Sequence, residues 1–406
     1  MKIGPNAVAV TGIGIVSPLG NGTSSLLQGL LESRSCLGPL SLFDAGIETA
    51  AVAEIRGPLP VETIPGYRLS RTDKLGVLGA RGAVSSVFPL CADSRETGVV
   101  MATTVGGLPE VESNLVSDPY GHYRRGAFGG ITSYQTSQVA DCIGTDLGLE
   151  GPRFGVSVAC ASGAMALALG ARMVLDGAAP MMLVGGSEAL CAVTLGGFNA
   201  LQALDPEPCR PFDVGRRGLN LGEGAAVVVL ESLERARARK AEVGSVLMGW
   251  GMSNDAYHPT APHAEGLGLS ESMTAAMHMA DVDPEQIGYL NAHGTGTPLN
   301  DEAEVKAIES AFGDRKRPLP VSSTKSFFGH CLGAAGALEA VVTILSLRFG
   351  VLPPTLRLAN PIESEKVDWL ADEPRRESPS LAMTASAGFG GSNTSLVFGL
   401  AESGSK

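Results

Sequence analysis

The chain has 406 residues, with 42 Asp and Glu against 30 Lys and Arg, and its net charge of −12 argues against broad electrostatic attraction to nucleic acid. Its length suits two domains or one large α/β body with two related halves, and a hydrophobic content of 44% implies a well-buried core. The seven cysteines (Cys36, Cys91, Cys142, Cys160, Cys191, Cys209 and Cys331) include no CxxC pair, so neither a disulfide framework nor a structural zinc site is expected.

Met1 to Ala9 carries one lysine and no signal-peptide pattern. The best candidate for a membrane span, Ala340 to Leu352, is short and carries Arg348. The expectation is a cytoplasmic protein in a reducing compartment, with neither nucleic acid nor membrane as a partner.

Ala7 to Val16 reads as a strand entering a glycine turn, without the third glycine and downstream acid of a dinucleotide-binding loop. Helices are expected over Asn21–Ser33 and Leu75–Phe88, with a Pro-rich loop at Gly57–Pro65 between them. Thr97 to Thr104 is a buried strand ending in Val105-Gly106-Gly107. A polar loop over Asp118–Gly130 holds Tyr120, His122, Tyr123, Arg124 and Arg125, and a helix follows over Thr132–Leu147. The β-branched run Val156–Val158 then gives way to small residues of helical composition, with Cys160 at the changeover. A helix N-terminus favours thiolate over thiol, which suits a nucleophile. Free cysteines are also common buried fillers. Position alone leaves both readings open.

Pro180 to Val184 is a further strand, closed by Gly185-Gly186. Ala225 to Leu230 is another, and Leu233 to Val243 a charged helix. A second half opens near Val246, dividing the chain into residues 1–245 and 246–406. Its strands are Leu247–Gly251, Ile287–Asn291, Pro320–Ser323, Leu381–Ser386 and Thr394–Phe398. Its helices are Ser270–Ala280, Asp301–Phe312 and the apolar Leu332–Phe349. Strands alternating with helices indicate an α/β fold. Each half has one helix rich in Ala and Gly, Cys160–Gly177 and Leu332–Gly350, which implies two related helices packed closely in the interior.

Asn291-Ala292-His293-Gly294-Thr295-Gly296-Thr297-Pro298 places His293 at a strand end, where α/β sheets build their sites. Ser323-Thr324-Lys325-Ser326-Phe327-Phe328-Gly329-His330 repeats the arrangement. Lys325 is either a surface lysine or a buried one with a carboxylate partner, for which Glu339, Asp301 and Glu304 are candidates. His122, His258, His263 and His278 read as structural or solvent-facing. No metal is expected, since no ligand pair has a spacing such as HxxxH. Gly388-Phe389-Gly390-Gly391-Ser392-Asn393 is a plain hairpin or a turn that brings a backbone N–H to a reacting centre. One cysteine, two histidines and an interior lysine fit a thiol that accepts an acyl group beside imidazoles that steady an enolate.

With these motifs the chain resembles the elongating β-ketoacyl-acyl carrier protein synthases, the ketosynthases of the thiolase-like superfamily. The resemblance runs from Val10-Thr11-Gly12 to the last strand. It rests on Ala159-Cys160-Ala161-Ser162-Gly163, the His293 and Lys325 stretches, Leu332-Gly333-Ala334-Ala335-Gly336-Ala337, the Phe389 turn, Arg210-Pro211-Phe212-Asp213 and Leu221-Gly222-Glu223-Gly224-Ala225. It implies a five-layered αβαβα sandwich and a dimer, either a homodimer or a heterodimer with a chain-length-factor-like subunit. Cys160 would carry the acyl chain. His293 and His330 would assist decarboxylation of malonyl-acyl carrier protein, and Lys325, paired with Glu339, would order the site. The N–H groups of Cys160 and Phe389 would form the oxyanion hole, with Phe389 also a gate. Thr295 and Thr297 would bind the phosphopantetheine arm, and Val105 would line the acyl pocket. No cofactor is implied beyond the phosphopantetheine of the acyl carrier protein. Arg68, Arg71, Lys74, Arg124 and Arg125 would form the carrier-protein docking surface, in which Gln202 stands where relatives often have a basic residue.

Cys160 sets the chain apart from chain-length factors that have lost the cysteine, and the two histidines set it apart from chain-initiating relatives. A degradative CoA thiolase shares the fold but not the His-Gly-Thr-Gly-Thr-Pro and Lys-Ser motifs. Two departures from the family pattern, Arg216-Arg217-Gly218-Leu219-Asn220 and Ala387, leave fatty-acid and specialised polyketide or polyene synthesis both open.

Overall fold

Ten strands carry the fold in this computed structural model, which describes residues 4, 6–46, 51–85, 87, 96–117, 132–313 and 315–401. Cys91, His122, Arg124 and Arg125 lie outside the described residues. The first half supplies β1 (Val8–Ser17), β2 (Gly98–Ala102), β3 (Arg153–Val156), β4 (Met181–Glu188) and β5 (Gly224–Ser232). The second supplies β6 (Ser245–Asn254), β7 (Leu290–Asn291), β8 (Leu319–Ser322), β9 (Leu381–Ala387) and β10 (Ser392–Leu400).

The halves repeat one topology. Counted outward from the seam where β1 pairs with β6, the first half runs β1-β5-β4-β2-β3 and the second β6-β10-β9-β7-β8, with Val367–Trp369 paired parallel beyond β8. In each half the first two pairings are antiparallel and the last two parallel. The seam itself is antiparallel and sets Val8 opposite Leu247.

Six helices complete the layers: α1 (Arg71–Ser85), α2 (Gln138–Asp146), α3 (Ser162–Leu175), α4 (Leu267–Ala280), α5 (Pro298–Phe312) and α6 (Ala335–Phe349). The pair α1 and α2 covers the outside of the first half, and α4 with α5 covers the outside of the second. Helices α3 and α6 lie between the two halves, touching strands of both. The order is therefore α, β, α, β, α. Helices on both faces explain why β4 is buried at every residue, as a strand covered on both sides must be.

The central pair packs backbone to backbone. A Cβ on Gly163 of α3 would lie 2.6 Å from the Ala337 nitrogen, and one on Gly336 of α6 would lie 2.6 Å from the Ala164 nitrogen. The small residues of both helices permit this crossing. Among the described residues, Leu332–Phe349 is the one helix apolar and long enough to cross a membrane, and 89% of it is buried inside the fold. It is the apolar helix expected over Leu332–Phe349, with Glu339 buried inside it and Arg348 in its last turn.

Some boundaries differ from expectation for visible reasons. α1 starts at Arg71, four residues early, because Ser70 and Asp73 cap it reciprocally: the Asp73 N–H donates to Ser70 Oγ (3.0 Å) and the Ser70 N–H to Asp73 Oδ2 (2.7 Å). β4 does not close at Gly185-Gly186 but continues to Glu188, and a Cβ on Gly185 would fall 1.9 Å from the Ala226 carbonyl oxygen. The glycines there admit the neighbouring strand and do not end this one.

Candidate active site

Cys160 stands in the turn between β3 and α3, just ahead of the N-cap residue Ala161. The turn is sharp because Ala159 takes a left-handed φ of 49°. That conformation costs a residue with a Cβ about 1–2 kcal/mol. Ser162 holds it: its Oγ accepts from the Val158 N–H (2.8 Å) and donates to the Ala159 carbonyl (2.5 Å). Gly388 lies against the same turn, where a Cβ would come within 3.2 Å of the Cys160 nitrogen. The bend turns the Cys160 side chain into a cavity of about 60 Å³, also lined by His293, His330, Thr295, Thr297 and Phe389.

The Phe389 N–H is near enough to the Cys160 sulfur to lower the thiol. Burial pushes the thiol up to about 12, with Glu188 adding to it, while the charge of Lys325 and the Phe389 N–H pull it down. The helix terminus was expected to favour thiolate. In this closed, desolvated site burial outweighs that effect, and the resting form is the thiol.

His293 follows β7, and His330 follows a short helix, Lys325–Phe328. Their rings meet edge to face, with centroids 5.2 Å apart and planes at 85°. Burial, and then the charge of Lys325, holds both imidazoles well below their ordinary value, so both are neutral. Lys325 Nζ donates to His293 Nδ1 (3.2 Å), to the His293 carbonyl (2.5 Å) and to the Glu339 carboxylate. An ammonium can only donate. His293 Nδ1 is therefore the acceptor, and the ring proton sits on Nε2.

Of the three carboxylates considered for Lys325, the structure pairs it with Glu339. The other two hold backbone. Glu304 takes the N–H groups of His293 and Gly294 at 2.7 Å each. Asp301 takes those of Phe212 (2.7 Å), Thr295 (3.1 Å) and Gly296 (3.2 Å). Burial raises both Glu304 and Glu339 to about 7. The Thr295 and Thr297 hydroxyls lie 2.9 Å apart on the cavity wall.

Sequence reasoning overlooked two residues here. The Glu188 carboxylate gathers the N–H groups of Thr104 and Val105 (2.8 Å each) and Gly333 (2.7 Å), tying the loop after β2 to the segment after His330. Its only signal was an acid closing an apolar strand. Phe198, on the helix Ala192–Ala200, packs on Phe389 with centroids 5.6 Å apart. Phe389 keeps 37% of its surface exposed at the cavity mouth.

The remaining residues scatter. Val105 is buried and lies outside the residues lining this cavity. Arg71, expected on the docking surface, is turned inward: its Nε and Nη2 reach Glu223 at 2.8 and 2.6 Å. The buried Glu223 carboxylate holds its guanidinium, and 22% of the Arg71 side chain stays exposed. Arg68 and Gln202 are exposed and Lys74 is half-buried. Ala387 lines the cavity, opposite Asn393 across the last hairpin.

Comparison with known proteins agrees with this geometry. The family model for the N-terminal domain of beta-ketoacyl synthase matches residues 85–236, and that for the C-terminal domain matches residues 244–359. The chain is 38% identical over 407 residues to 3-oxoacyl-[acyl-carrier-protein] synthase 2 of Coxiella burnetii, covering 96% of this chain and 97% of that one. Among solved structures, the ishigamide ketosynthase/chain length factor superposes with a TM-score of 0.90 at 30% identity, covering 97% of this chain and 98% of that one. A type II PKS acyl-carrier protein in complex with its ketosynthase, AntDE:AntF, matches with a TM-score of 0.89 at 26% identity, covering 98% of this chain and 100% of the other. A buried thiol and two neutral imidazoles on one cavity, inside this doubled fold and with these relatives, establish that the chain belongs to the β-ketoacyl synthase family and is a condensing enzyme that transfers acyl groups.

Proposed function

We propose that the chain condenses malonyl-acyl carrier protein with an acyl chain held on Cys160, giving a β-ketoacyl-acyl carrier protein two carbons longer. The observation that carries this reading is the convergence of Cys160, His293 and His330 on one cavity, with Phe389 at its mouth.

The first half-reaction is thioester exchange. The Cys160 sulfur attacks the carbonyl of the incoming acyl thioester, the carrier's sulfur leaves, and the thiol proton passes to it. The oxygen of the tetrahedral intermediate carries the developing charge, and the N–H groups of Cys160 and Phe389 are available to bind it. In the second half-reaction the malonyl thioester breaks its bond to the carboxylate, releasing carbon dioxide and leaving an enolate. His293 Nε2–H and His330, both neutral, donate hydrogen bonds to that enolate oxygen. The enolate carbon attacks the Cys160 thioester, the carbon–sulfur bond breaks, and the thiolate released takes one proton from solvent water. Lys325 and Glu339 fix the His293 tautomer. Thr295 and Thr297 hold the arm that brings each thioester in.

Acyl carrier protein is the partner of this reading, and the named relatives support it. The chain works as one half of a dimer, with a second copy or with a chain-length-factor-like subunit, and the edge strand β3 with its half-exposed Phe154 is open for pairing. The chemistry is common to fatty-acid elongation and polyketide synthesis. A non-catalytic partner subunit is disfavoured because Cys160 opens onto the cavity with both histidines.

Intact-protein mass spectrometry after incubation with acyl-acyl carrier protein tests the reading. It expects an acyl adduct on Cys160 that disappears, with carbon dioxide release, when malonyl-acyl carrier protein is added. No adduct on Cys160 overturns it.

A further inference from the structure

Behind the cavity, Ala203 and Leu219 form part of its wall. The two segments are laced together: the Leu219 N–H donates to the Ala203 carbonyl and the Asp205 N–H to the Leu219 carbonyl, each at 2.9 Å. The next residue, Asn220, is 1% exposed and grips two things at once. Its backbone carbonyl accepts the His330 N–H at 2.7 Å. Its side-chain oxygen accepts the Cys209 N–H at 2.6 Å, and its amide nitrogen donates to the carbonyls of Asp205 (2.9 Å) and Glu207 (3.2 Å).

The loop it holds is braced from two further sides. Arg217, on the surface, reaches Asp205 (3.1 Å) and Glu207 (3.0 Å). Arg357 donates to the Cys209 carbonyl (2.9 Å) and to the carbonyl of Ser326 (2.6 Å), the neighbour of Lys325. The segment 203–209, whose Ala203 lines the cavity, is thus fastened to the backbone of His330 and to the Lys325 helix. Cys160 makes none of these hydrogen bonds: Ser162 and Gly388 hold its turn, and its contact with this wall is apolar, in the cluster it shares with Leu219.

We propose that Asn220 is a positioning residue for the decarboxylating half-reaction, setting His330 against the wall along which the malonyl-bearing arm lies. A buried amide with oxygen and nitrogen both engaged fixes a backbone loop in a way an apolar residue of the same size cannot, because that residue leaves the loop's polar groups unpaired. Loss of this grip moves His330 relative to the arm and leaves the nucleophile where it is. The inference rests on the condensing function proposed above.

The test uses the full chain carrying Asn220→Val, Asn220→Asp or Arg217→Ala. Asn220→Val removes the whole side-chain grip. Asn220→Asp keeps the acceptor for Cys209 and loses both donors. Arg217→Ala removes the outer brace from an exposed position and keeps the variant set informative even where a buried substitution fails to fold. Two rates are read: acyl loading of Cys160 by mass spectrometry, and carbon dioxide release from malonyl-acyl carrier protein. Asn220→Val is expected to lower kcat for decarboxylation by about tenfold to a hundredfold, with KM and loading within about threefold of the parent. Asn220→Asp falls between, and Arg217→Ala loses less in the same direction. Equal losses in loading and decarboxylation, or an unchanged decarboxylation rate across the set, overturn the proposal. A parent enzyme that forms no Cys160 adduct overturns the condensing function instead, so the two failures are distinct.

Discussion

Lys325 Nζ lies 3.2 Å from His293 Nδ1 and donates to it, so a lysine outside the cavity lining decides which ring nitrogen of His293 holds the proton. The same ammonium is bonded to Glu339, which has no exposed surface. Replacing Lys325 with Met removes the donor and strands a buried carboxylate. Breaking such a pair from one side costs about 3–5 kcal/mol. Lys325→Met is therefore expected to lower Tm markedly and to abolish most malonyl decarboxylation. The double variant Lys325→Met with Glu339→Leu is expected to regain Tm but not activity. Thermal denaturation alongside carbon dioxide release checks this, and recovered activity in the double variant contradicts the tautomer assignment.

Cys160→Ala is expected to abolish the acyl adduct and chain extension together. Because burial holds the thiol at about 12, alkylation of the parent Cys160 by iodoacetamide is expected to climb with pH through the alkaline range, roughly tenfold per unit as the thiolate fraction grows. Peptide mapping of alkylated Cys160 across pH reads it. A rate that plateaus near neutrality means that the resting form is thiolate.

His330→Ala is expected to leave acyl transfer to Cys160 detectable and to slow decarboxylation by about 10²–10³, the usual effect of losing one donor to a developing oxyanion. Carbon dioxide release at an unchanged rate rules out this role for His330.

Glu304 gives a pH signature. Its carboxyl lies at about 7 in the fold against an ordinary 4.5, with burial as the first cause. Between those values the folded chain binds more protons than the unfolded chain, so this group's contribution to stability falls as pH rises from 4.5 to 7. Glu304→Gln removes this titration and leaves that of Glu339, so it is expected to lessen the fall of Tm with pH in that window, at a lower Tm throughout because one N–H of the His293 loop loses its acceptor. An unchanged slope refutes the assignment.

The site residues carried by local motifs were legible in the sequence. His293, Lys325 and His330 stand at strand ends or in the turns after them, and the Ala and Gly runs at Gly163 and Gly336 mark helices crossing at backbone distance. Glu188, Phe198 and Asn220 were not, because what defines each is a partner far along the chain: Gly333, Phe389 and Cys209 with His330. Arg71 shows the same limit from the other side. A basic residue at a helix start looks like surface charge until Glu223, brought from β5's approach, takes its guanidinium. The glycine pair at Gly185-Gly186 was misread as an ending because a sequence does not show which backbone passes at 1.9 Å.

The crossing of α3 and α6 has a consequence for how this enzyme keeps its dimensions. α3 begins just after the nucleophile, and α6 begins just after His330. Where they touch, Gly163 faces only main chain of the other helix and its approach, and Gly336 faces the Ala164 nitrogen first. The nucleophile and His330 are thus each followed by a helix whose partner stands at main-chain distance. An added methyl at either glycine has nowhere soft to go, and the first thing it spoils is the alignment of two reaction steps that must share one thioester.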